Sequence, residues 1–371
     1  MKILFAVLIV LSTYFSSNAQ VKLNSKIDTA NIEKGQLYQF IGSYFQKDTI
    51  SNEKWHPKYN GKQSYDFTMD WLWKNKTPKK LAKLMNLELV ELQLVNDTLA
   101  YCKILARSKS EIPGESYSNV YKLYIVKING EYYFDNCKNY DSNRFKKFET
   151  KNINFYVSPF YNIDTKKMKY ASRKLDILYK ELKKPRLAKS IDYYMCSTED
   201  ELNNLSNLLI WDGGLGAYTN IPEGFIVAVN DDPVYSHEFV HAILGASANC
   251  FFLQEGVAVL YGGLDKGTKS YEDGIADLKA CYQTGGCTFD NLYERKVEQK
   301  YNSNLTYAFA GAFCKYLIDS YGLEFFYKLY YNKEISTANF IDKITEITGV
   351  SKKEIMKGVE KIILDRDFKT N

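Results

Sequence analysis

The stretch His237-Glu238-Phe239-Val240-His241 places two histidines four residues apart, with a glutamate directly after the first. On a helix, residues i and i+4 lie on one face, so both imidazoles can face one ion while Glu238 lies beside its open coordination position. The stretch therefore predicts a helix that carries a catalytic zinc site. Because such a zinc takes three protein ligands and one water, a third ligand must come from elsewhere in the chain.

The third ligand is predicted to be a carboxylate. The chain has 3 histidines in all, and the remaining one, His56, lies between Trp55 and Pro57 in a segment that is typical of a loop. Glu255, in the sequence Gln-Glu-Gly-Val-Ala, is the candidate because it opens a second helix-like segment shortly after the first. The sequence thus predicts one Zn²⁺ per chain, held by His237, His241 and Glu255.

This ligand set suits hydrolysis. Two neutral imidazoles and one carboxylate leave zinc acidic enough to lower the pKa of its bound water to about 7. Glu238, next to a ligand on the same helix, is placed to accept the proton of that water and later to deliver it to a leaving amine.

The N-terminus has the pattern of a signal peptide. Lys2 is followed by the apolar run Ile3 to Val10 and then by Ser17-Asn18-Ala19, with small residues at the expected cleavage positions. The apolar run is too short to span a bilayer, and no later run is suitable. We therefore expect residues 1–19 to be removed and the mature protein, without an integral membrane segment, to be secreted or periplasmic.

Composition argues against a nucleic-acid partner and allows more than one disulfide pairing. The net charge is +5 with the lysines spread along the chain, which predicts no nucleic-acid partner. An exported chain with 7 cysteines can form disulfides. Cys281 with Cys287, across a Gln-Thr-Gly-Gly turn, is the favoured pair, and Cys102 with Cys137, on two predicted strands, is the next.

An α+β roll is predicted for residues 26–148, as an accessory domain. Apolar residues first recur at helical spacing and then alternate with polar residues, as strands do. Asn129-Gly130 is typical of a hairpin turn. The pattern resembles the cystatin-like or SnoaL-like rolls in outline. The helical positions are Ile32, Leu37, Phe40, Ile41 and Phe45, and the strands are Leu87 to Leu94, Leu99 to Ala106, Ser118 to Ile128 and the segment beginning at Glu131.

A second domain, residues 150–371, is predicted to follow the polar segment Asp141 to Lys151. Asp232 suits an N-cap and Pro233 a first helical position, so the motif helix is expected to start there and to run to Gly245. Before it, the pattern predicts the strands Ile153 to Val157, Ser190 to Cys196 and Phe225 to Val229, the helix Lys167 to Leu182, and a glycine-rich turn at Gly213 to Tyr218.

From Ile153 to Leu364 the chain resembles a gluzincin metallopeptidase of the peptidase-MA-like branch. The motif residues match one by one: His237 and His241 fall on the first two zinc ligands, Glu238 on the general base and Glu255 on the third ligand. The resemblance implies thermolysin-like active-site helices, and a peptide or protein as substrate. It also implies that Tyr307, which leads a helical segment, stabilises the oxyanion. The segment from Gly216-Ala217-Tyr218 to Val229 resembles the edge strand that binds extended substrate by backbone pairing.

Two departures from the best-known gluzincins bear on activity. Thirteen residues separate His241 from Glu255, fewer than in thermolysin-like or aminopeptidase N-like enzymes. The glycine-rich turn lacks the Gly-Ala-Met-Glu-Asn motif by which aminopeptidase N-like enzymes hold a free N-terminus, which favours an endopeptidase. The alternative is a non-catalytic, zinc-containing binding or structural protein with a peptidase-like domain.

Simpler interpretations exist for the site residues. His237 and His241 could be ordinary residues of a helix surface, and Glu255 a solvated carboxylate that the helix dipole favours at a helix start. Tyr307 could be a packing residue. The combination of the motif, the export signal and the setting of Glu255 favours the zinc site.

Overall fold

The computed structural model describes residues 21–49, 52–59, 77–109, 118–162, 164–210, 216–220, 224–264, 268–299 and 303–365. The predicted signal peptide and residues 213–215 of the glycine-rich turn lie outside the described residues. The chain divides into two units, one of Met1–Phe145 with Cys196–Gly216 and one of Lys146–Met195 with Ala217–Asn371. Both contain helices and strands, so the α+β class predicted from the sequence is confirmed.

The elements are numbered in chain order. The strands are β1 (Val21–Leu23), β2 (Met85–Asn96), β3 (Leu99–Ser108), β4 (Ser118–Ile128), β5 (Glu131–Asp135), β6 (Lys146–Glu149), β7 (Ile153–Val157), β8 (Ile191–Cys196), β9 (Leu208–Ile210), β10 (Ala217–Asn220) and β11 (Phe225–Val229). The α-helices are α1 (Ile32–Tyr44), α2 (Pro78–Leu84), α3 (Lys138–Asp141), α4 (Thr165–Glu181), α5 (Glu199–Leu205), α6 (Ser236–Leu244), α7 (Phe251–Gly262), α8 (Tyr271–Gln283), α9 (Phe289–Tyr293), α10 (Ser303–Tyr321), α11 (Leu323–Tyr330), α12 (Phe340–Thr348) and α13 (Lys352–Leu364). Among the described helices, none has the length and apolar character needed to cross a membrane.

The first unit is built on one sheet with the strand order β1-β2-β3-β4-β5, in which β9 also pairs with β4. Strands β2 to β5 form the predicted antiparallel meander, and Asn129-Gly130 makes the turn between β4 and β5. Alternate residues of the strands are buried beneath α1, where Phe40 lies 4.7 Å from Phe134 between ring centroids. Ile32, at the start of the predicted helical stripe, is 80% exposed and does not contribute to this core.

The first unit also takes in a segment that the sequence places in the second domain. In β9, Leu208 and Ile210 pair with β4, and the side chain of Asn207 accepts a hydrogen bond from the backbone N–H of Cys137 at 2.8 Å. The predicted domains, 26–148 and 150–371, are each continuous in the chain. In the structure the segment Cys196–Gly216 belongs to the first unit, although the chain before and after it belongs to the second.

The second unit has a sheet in the order β10-β11-β8-β7-β6, so that β10 is a terminal strand among those that the structure describes. Strands β7 and β8 are parallel, with α4 between them in the chain, while β10 and β11 form an antiparallel hairpin. The apolar face of α4 packs into a large core that also contains α6, α7 and α10. This core fixes the helices that carry the predicted site.

The predicted start of the motif helix is wrong. Helix α6 begins at Ser236, not at Asp232-Pro233, although it ends before Gly245 as expected. The side chain of Asp232 accepts a hydrogen bond from the N–H of Val234 at 2.9 Å. The carboxylate that could cap a helix closes this short turn instead. The helix therefore begins only after Tyr235.

One of the two predicted disulfides is present. Cys281 and Cys287 are bonded. The pairing of Cys102 with Cys137 is wrong, since both are free and buried. Cys137 instead donates to the carbonyl of Lys122 at 3.1 Å, and burial raises the pKa of Cys102 to about 12. Both thiols therefore act as small core residues.

Candidate metal centre

Helix α6 carries the two histidines one turn apart on a buried face. His237 is 9% exposed, and its Nε2 atom lies 3.2 Å from Nε2 of His241. The helix ends at Leu244, and the N–H of the following Gly245 bonds to the carbonyl of His241 at 2.9 Å. The second histidine thus lies in the last turn, and both imidazoles point to one place.

Glu255, in the second turn of α7, supplies a third donor atom at the same place. Its Oε2 lies 3.2 Å from Nε2 of His237 and 3.5 Å from Nε2 of His241. In a tetrahedral zinc site with bonds of about 2.0–2.2 Å, ligand atoms are about 3.3 Å apart. The three separations fit this geometry, so the residues present fit a zinc ion. Among the described residues, no other group of three His, Cys, Asp or Glu side chains converges in this way.

Two glycines of α7 allow the helices to approach closely enough for this convergence. A Cβ atom on Gly262 would lie 2.4 Å from the backbone nitrogen of His237, and one on Gly256 would lie 2.3 Å from the carbonyl oxygen of Ala310 in α10. Either contact would be a clash with backbone. The glycine that follows Glu255 in the sequence is therefore required by packing against α10, and Gly262 by packing against α6.

A backbone carbonyl orients His237. Its Nδ1 lies 3.1 Å from the carbonyl oxygen of Gly263, which can only accept a hydrogen bond. The proton is accordingly assigned to Nδ1, which leaves the lone pair of Nε2 directed at the centre. Metal-ligating histidines typically have such a partner, because it fixes the ring and the tautomer.

Glu255 and His241 shift each other's pKa. Burial opposes a charge on His241, but the carboxylate of Glu255 outweighs it and raises the pKa of His241 to about 9. Burial likewise acts to raise the pKa of Glu255, yet the imidazoles of His241 and His237 hold it well below its ordinary value. Both shifts favour a charged Glu255 beside a protonated His241.

Zinc affinity is expected to rise with pH up to about 9. Zinc binds neutral imidazole, so below the raised pKa of His241 the ion must displace a proton. With one proton released, the association constant should increase about tenfold per pH unit between about pH 7 and 8.5. Titration against a chromophoric chelator at several pH values measures this slope. A flat profile in the native protein would contradict the expectation.

Glu238 lies on α6 directly after the first histidine, and it is 5% exposed. Its Oε2 accepts a hydrogen bond of 2.6 Å from the hydroxyl of Thr219 in strand β10. A buried carboxylate costs free energy unless it is hydrogen-bonded, and Thr219 provides that bond. The contact also shows that the terminal strand β10 passes beside Glu238.

Aromatic rings line the centre. Tyr307, in α10, has its ring centroid 6.4 Å from that of His237, and Phe251 packs edge-on against Tyr307 at 5.2 Å. Tyr235 lies 6.3 Å from His237. The structure thus brings Tyr307 beside the centre together with His237, Glu238, His241 and Glu255. His56 belongs to the first unit, where its Nδ1 accepts from the N–H of Lys58 at 3.0 Å.

Sequence reasoning missed two groups, Thr219 and the carbonyl of Gly263. Neither forms a motif with the histidines, and the strand that carries Thr219 becomes a neighbour of Glu238 only through the packing of β10 on α6. Successive side chains of a strand point to opposite faces, and Tyr218 and Asn220 are both buried. The alternation thus places Thr219 on the other face of β10, but it does not identify Glu238 as the neighbour.

No protein-family model matches the chain, and no curated protein matches it. The function is therefore inferred from the geometry of the centre and from its motif residues.

Proposed function

We propose that this protein is an exported zinc-dependent metallopeptidase, with an N-terminal α+β roll and a gluzincin catalytic domain. The observation that carries the proposal is the convergence of three donor atoms, 3.2 to 3.5 Å apart, beside Glu238, a buried glutamate on the helix that carries both histidines. A site that only stored zinc would not need Glu238, because burying a further carboxylate there is costly.

His237, His241 and Glu255 would hold the ion. When bound, zinc would act as a Lewis acid that lowers the pKa of the hydrolytic water and polarises the substrate carbonyl. Glu238 accepts the proton of the attacking water and returns it to the leaving amine as the peptide bond breaks. Thr219 occupies one oxygen of Glu238, so the other oxygen is left for this proton.

An extended peptide is the proposed substrate. Strand β10 is the terminal strand of its sheet, and its Thr219 touches Glu238, so a peptide paired with the outer edge of β10 would run past the general base. Such backbone pairing does not require a free N-terminus. It supports an endopeptidase over an aminopeptidase, in agreement with the missing Gly-Ala-Met-Glu-Asn motif.

Tyr307→Phe is expected to lower kcat about 10- to 1,000-fold, as removal of a single oxyanion donor does. The hydroxyl is proposed to bond only the developing oxyanion, so KM should change little. Steady-state kinetics on a cleaved peptide measures both constants. Tyr282→Phe is the matched control, because the Tyr282 hydroxyl is buried and has no hydrogen-bond partner among the residues that the structure describes. An unchanged kcat in folded Tyr307→Phe protein would return Tyr307 to a packing role.

A cleavage profile tests the function itself. The purified mature chain is incubated with a peptide library as prepared, after treatment with a chelator, and after zinc is restored. We expect internal peptide bonds to be cleaved, the cleavage to be lost with the chelator and to return with zinc. Chelator-resistant cleavage would contradict the proposal. Stoichiometric zinc without cleavage of any peptide would instead support the non-catalytic alternative.

A further inference from the structure

We propose that Thr219 is a positioning residue for Glu238. Its hydroxyl holds the carboxylate in the orientation in which the free oxygen can take a proton from the hydrolytic water. The inference rests on the proposed function, because it assigns Thr219 a role in the same reaction. It adds a residue that lies outside the zinc-binding motif and on a different element.

The contact is a directed hydrogen bond. The hydroxyl oxygen of Thr219 lies 2.6 Å from Oε2 of Glu238 and 3.2 Å from its backbone carbonyl oxygen. A hydroxyl has a single proton, and the contact with the carboxylate is the shorter of the two. The proton therefore belongs to the contact with the carboxylate. Among the residues that the structure describes, Thr219 is the one side chain that donates to this carboxylate.

Thr219 is a rigid donor. Its backbone pairs with Ile226 of β11, which fixes the strand, and a β-branched side chain has a restricted first torsion angle. Glu238 by contrast has a long side chain with several torsion angles, and α6 fixes only its backbone. The threonine therefore supplies the constraint on the carboxylate that the helix alone does not supply.

The same strand is proposed to bind the peptide. A substrate paired with the outer edge of β10 would be held by the element that also orients the base. Small errors in the placement of reacting groups are costly, and a misplacement of about 1 Å can lower a rate by about 100-fold. A hydroxyl that fixes Glu238 relative to β10 should therefore affect turnover more than substrate binding.

The test compares three variants. Thr219→Val keeps the shape and the β-branch but removes the hydroxyl, and Thr219→Ser keeps the hydroxyl. Thr345→Val is the matched control, since in the described part of the chain the Thr345 hydroxyl is buried and has no hydrogen-bond partner. For each protein, kcat, KM, zinc content and the thermal midpoint are measured, and crystal structures of the native protein and of Thr219→Val are compared at Glu238.

We expect Thr219→Val to lose about 10- to 100-fold in kcat with KM changed little and zinc retained. Thr219→Ser should recover most of the rate, and Thr345→Val should match the native protein. A native kcat in folded, zinc-loaded Thr219→Val would overturn the positioning role while leaving the proposed function intact. If the native protein cleaves nothing, the proposed function fails, and the crystal structures decide the positioning: a displaced carboxylate in Thr219→Val supports it, and an unmoved one overturns it.

Discussion

Glu238→Gln is expected to remove peptide hydrolysis while zinc stays bound. The amide has the size of the carboxylate but cannot accept the proton of the attacking water, and general-base catalysis typically contributes about 100- to 10,000-fold. We expect kcat to fall by at least about 100-fold. Zinc should remain stoichiometric, because the three converging donor atoms come from His237, His241 and Glu255. Rates on a cleaved peptide and zinc content by mass spectrometry check the two parts separately.

Glu272→Gln is a suitable control, because it makes the same chemical change at an exposed position in the first turn of α8. It should cleave peptides at the native rate. If Glu238→Gln retained native activity on any peptide that the native protein cleaves, Glu238 could not be the general base. Loss of zinc in Glu238→Gln would instead show that the residue supports the centre itself.

Local patterns in the sequence predicted several elements of both units. The alternation in β2, β3 and β4 and the periodicity of α4 come from residues close in the chain, and the structure confirms all four elements. The predicted start of α6 is wrong because an aspartate such as Asp232 has two possible roles. It can cap a helix or close a turn onto the N–H of Val234, and the structure contains the turn.

Long-range pairing was not readable from the sequence. Segment Cys196–Gly216 belongs to the first unit because β9 pairs with β4, which is distant in the chain. A strand of three residues is too short to show a periodic pattern from which this pairing could be predicted. The cysteines show the same limit. The disulfide between Cys281 and Cys287 could be predicted because one short turn joins the two residues. Whether Cys102 and Cys137 come close enough to bond depends on the packing of two distant segments, and in the structure both are free.

The candidate site divides in the same way. The spacing of His237 and His241 within one helix already places both imidazoles on one face. That Glu255 reaches the same point depends on the close packing of α7, which Gly256 and Gly262 permit. The sequence indicated Glu255 through the residues around it. Thr219, on a strand with no motif of its own, could be found only from the packing of β10 against α6.

Replacement of either histidine by alanine is expected to abolish stoichiometric zinc and, with it, cleavage. A catalytic zinc has three protein ligands, and the loss of one leaves two donors and a cavity open to water. Changing an outer hydrogen-bond partner of a ligand already costs about 10- to 100-fold in metal affinity, so removal of the ligand should cost more. Zinc per chain is measured after dialysis against a weak chelator, with circular dichroism to confirm that His237→Ala and His241→Ala are folded.

His56→Ala is the matched control for this experiment, because the chain has 3 histidines and His56 is the one that does not belong to the convergent group. Its ring lies in the first unit and accepts a hydrogen bond from the N–H of Lys58. We expect His56→Ala to keep about one zinc per chain, as the ligand set requires. Native zinc content in both His237→Ala and His241→Ala would refute the assignment of the centre. Loss of zinc in all three variants would mean that the metal depends on the fold as a whole, and the three convergent donors would then not define its site.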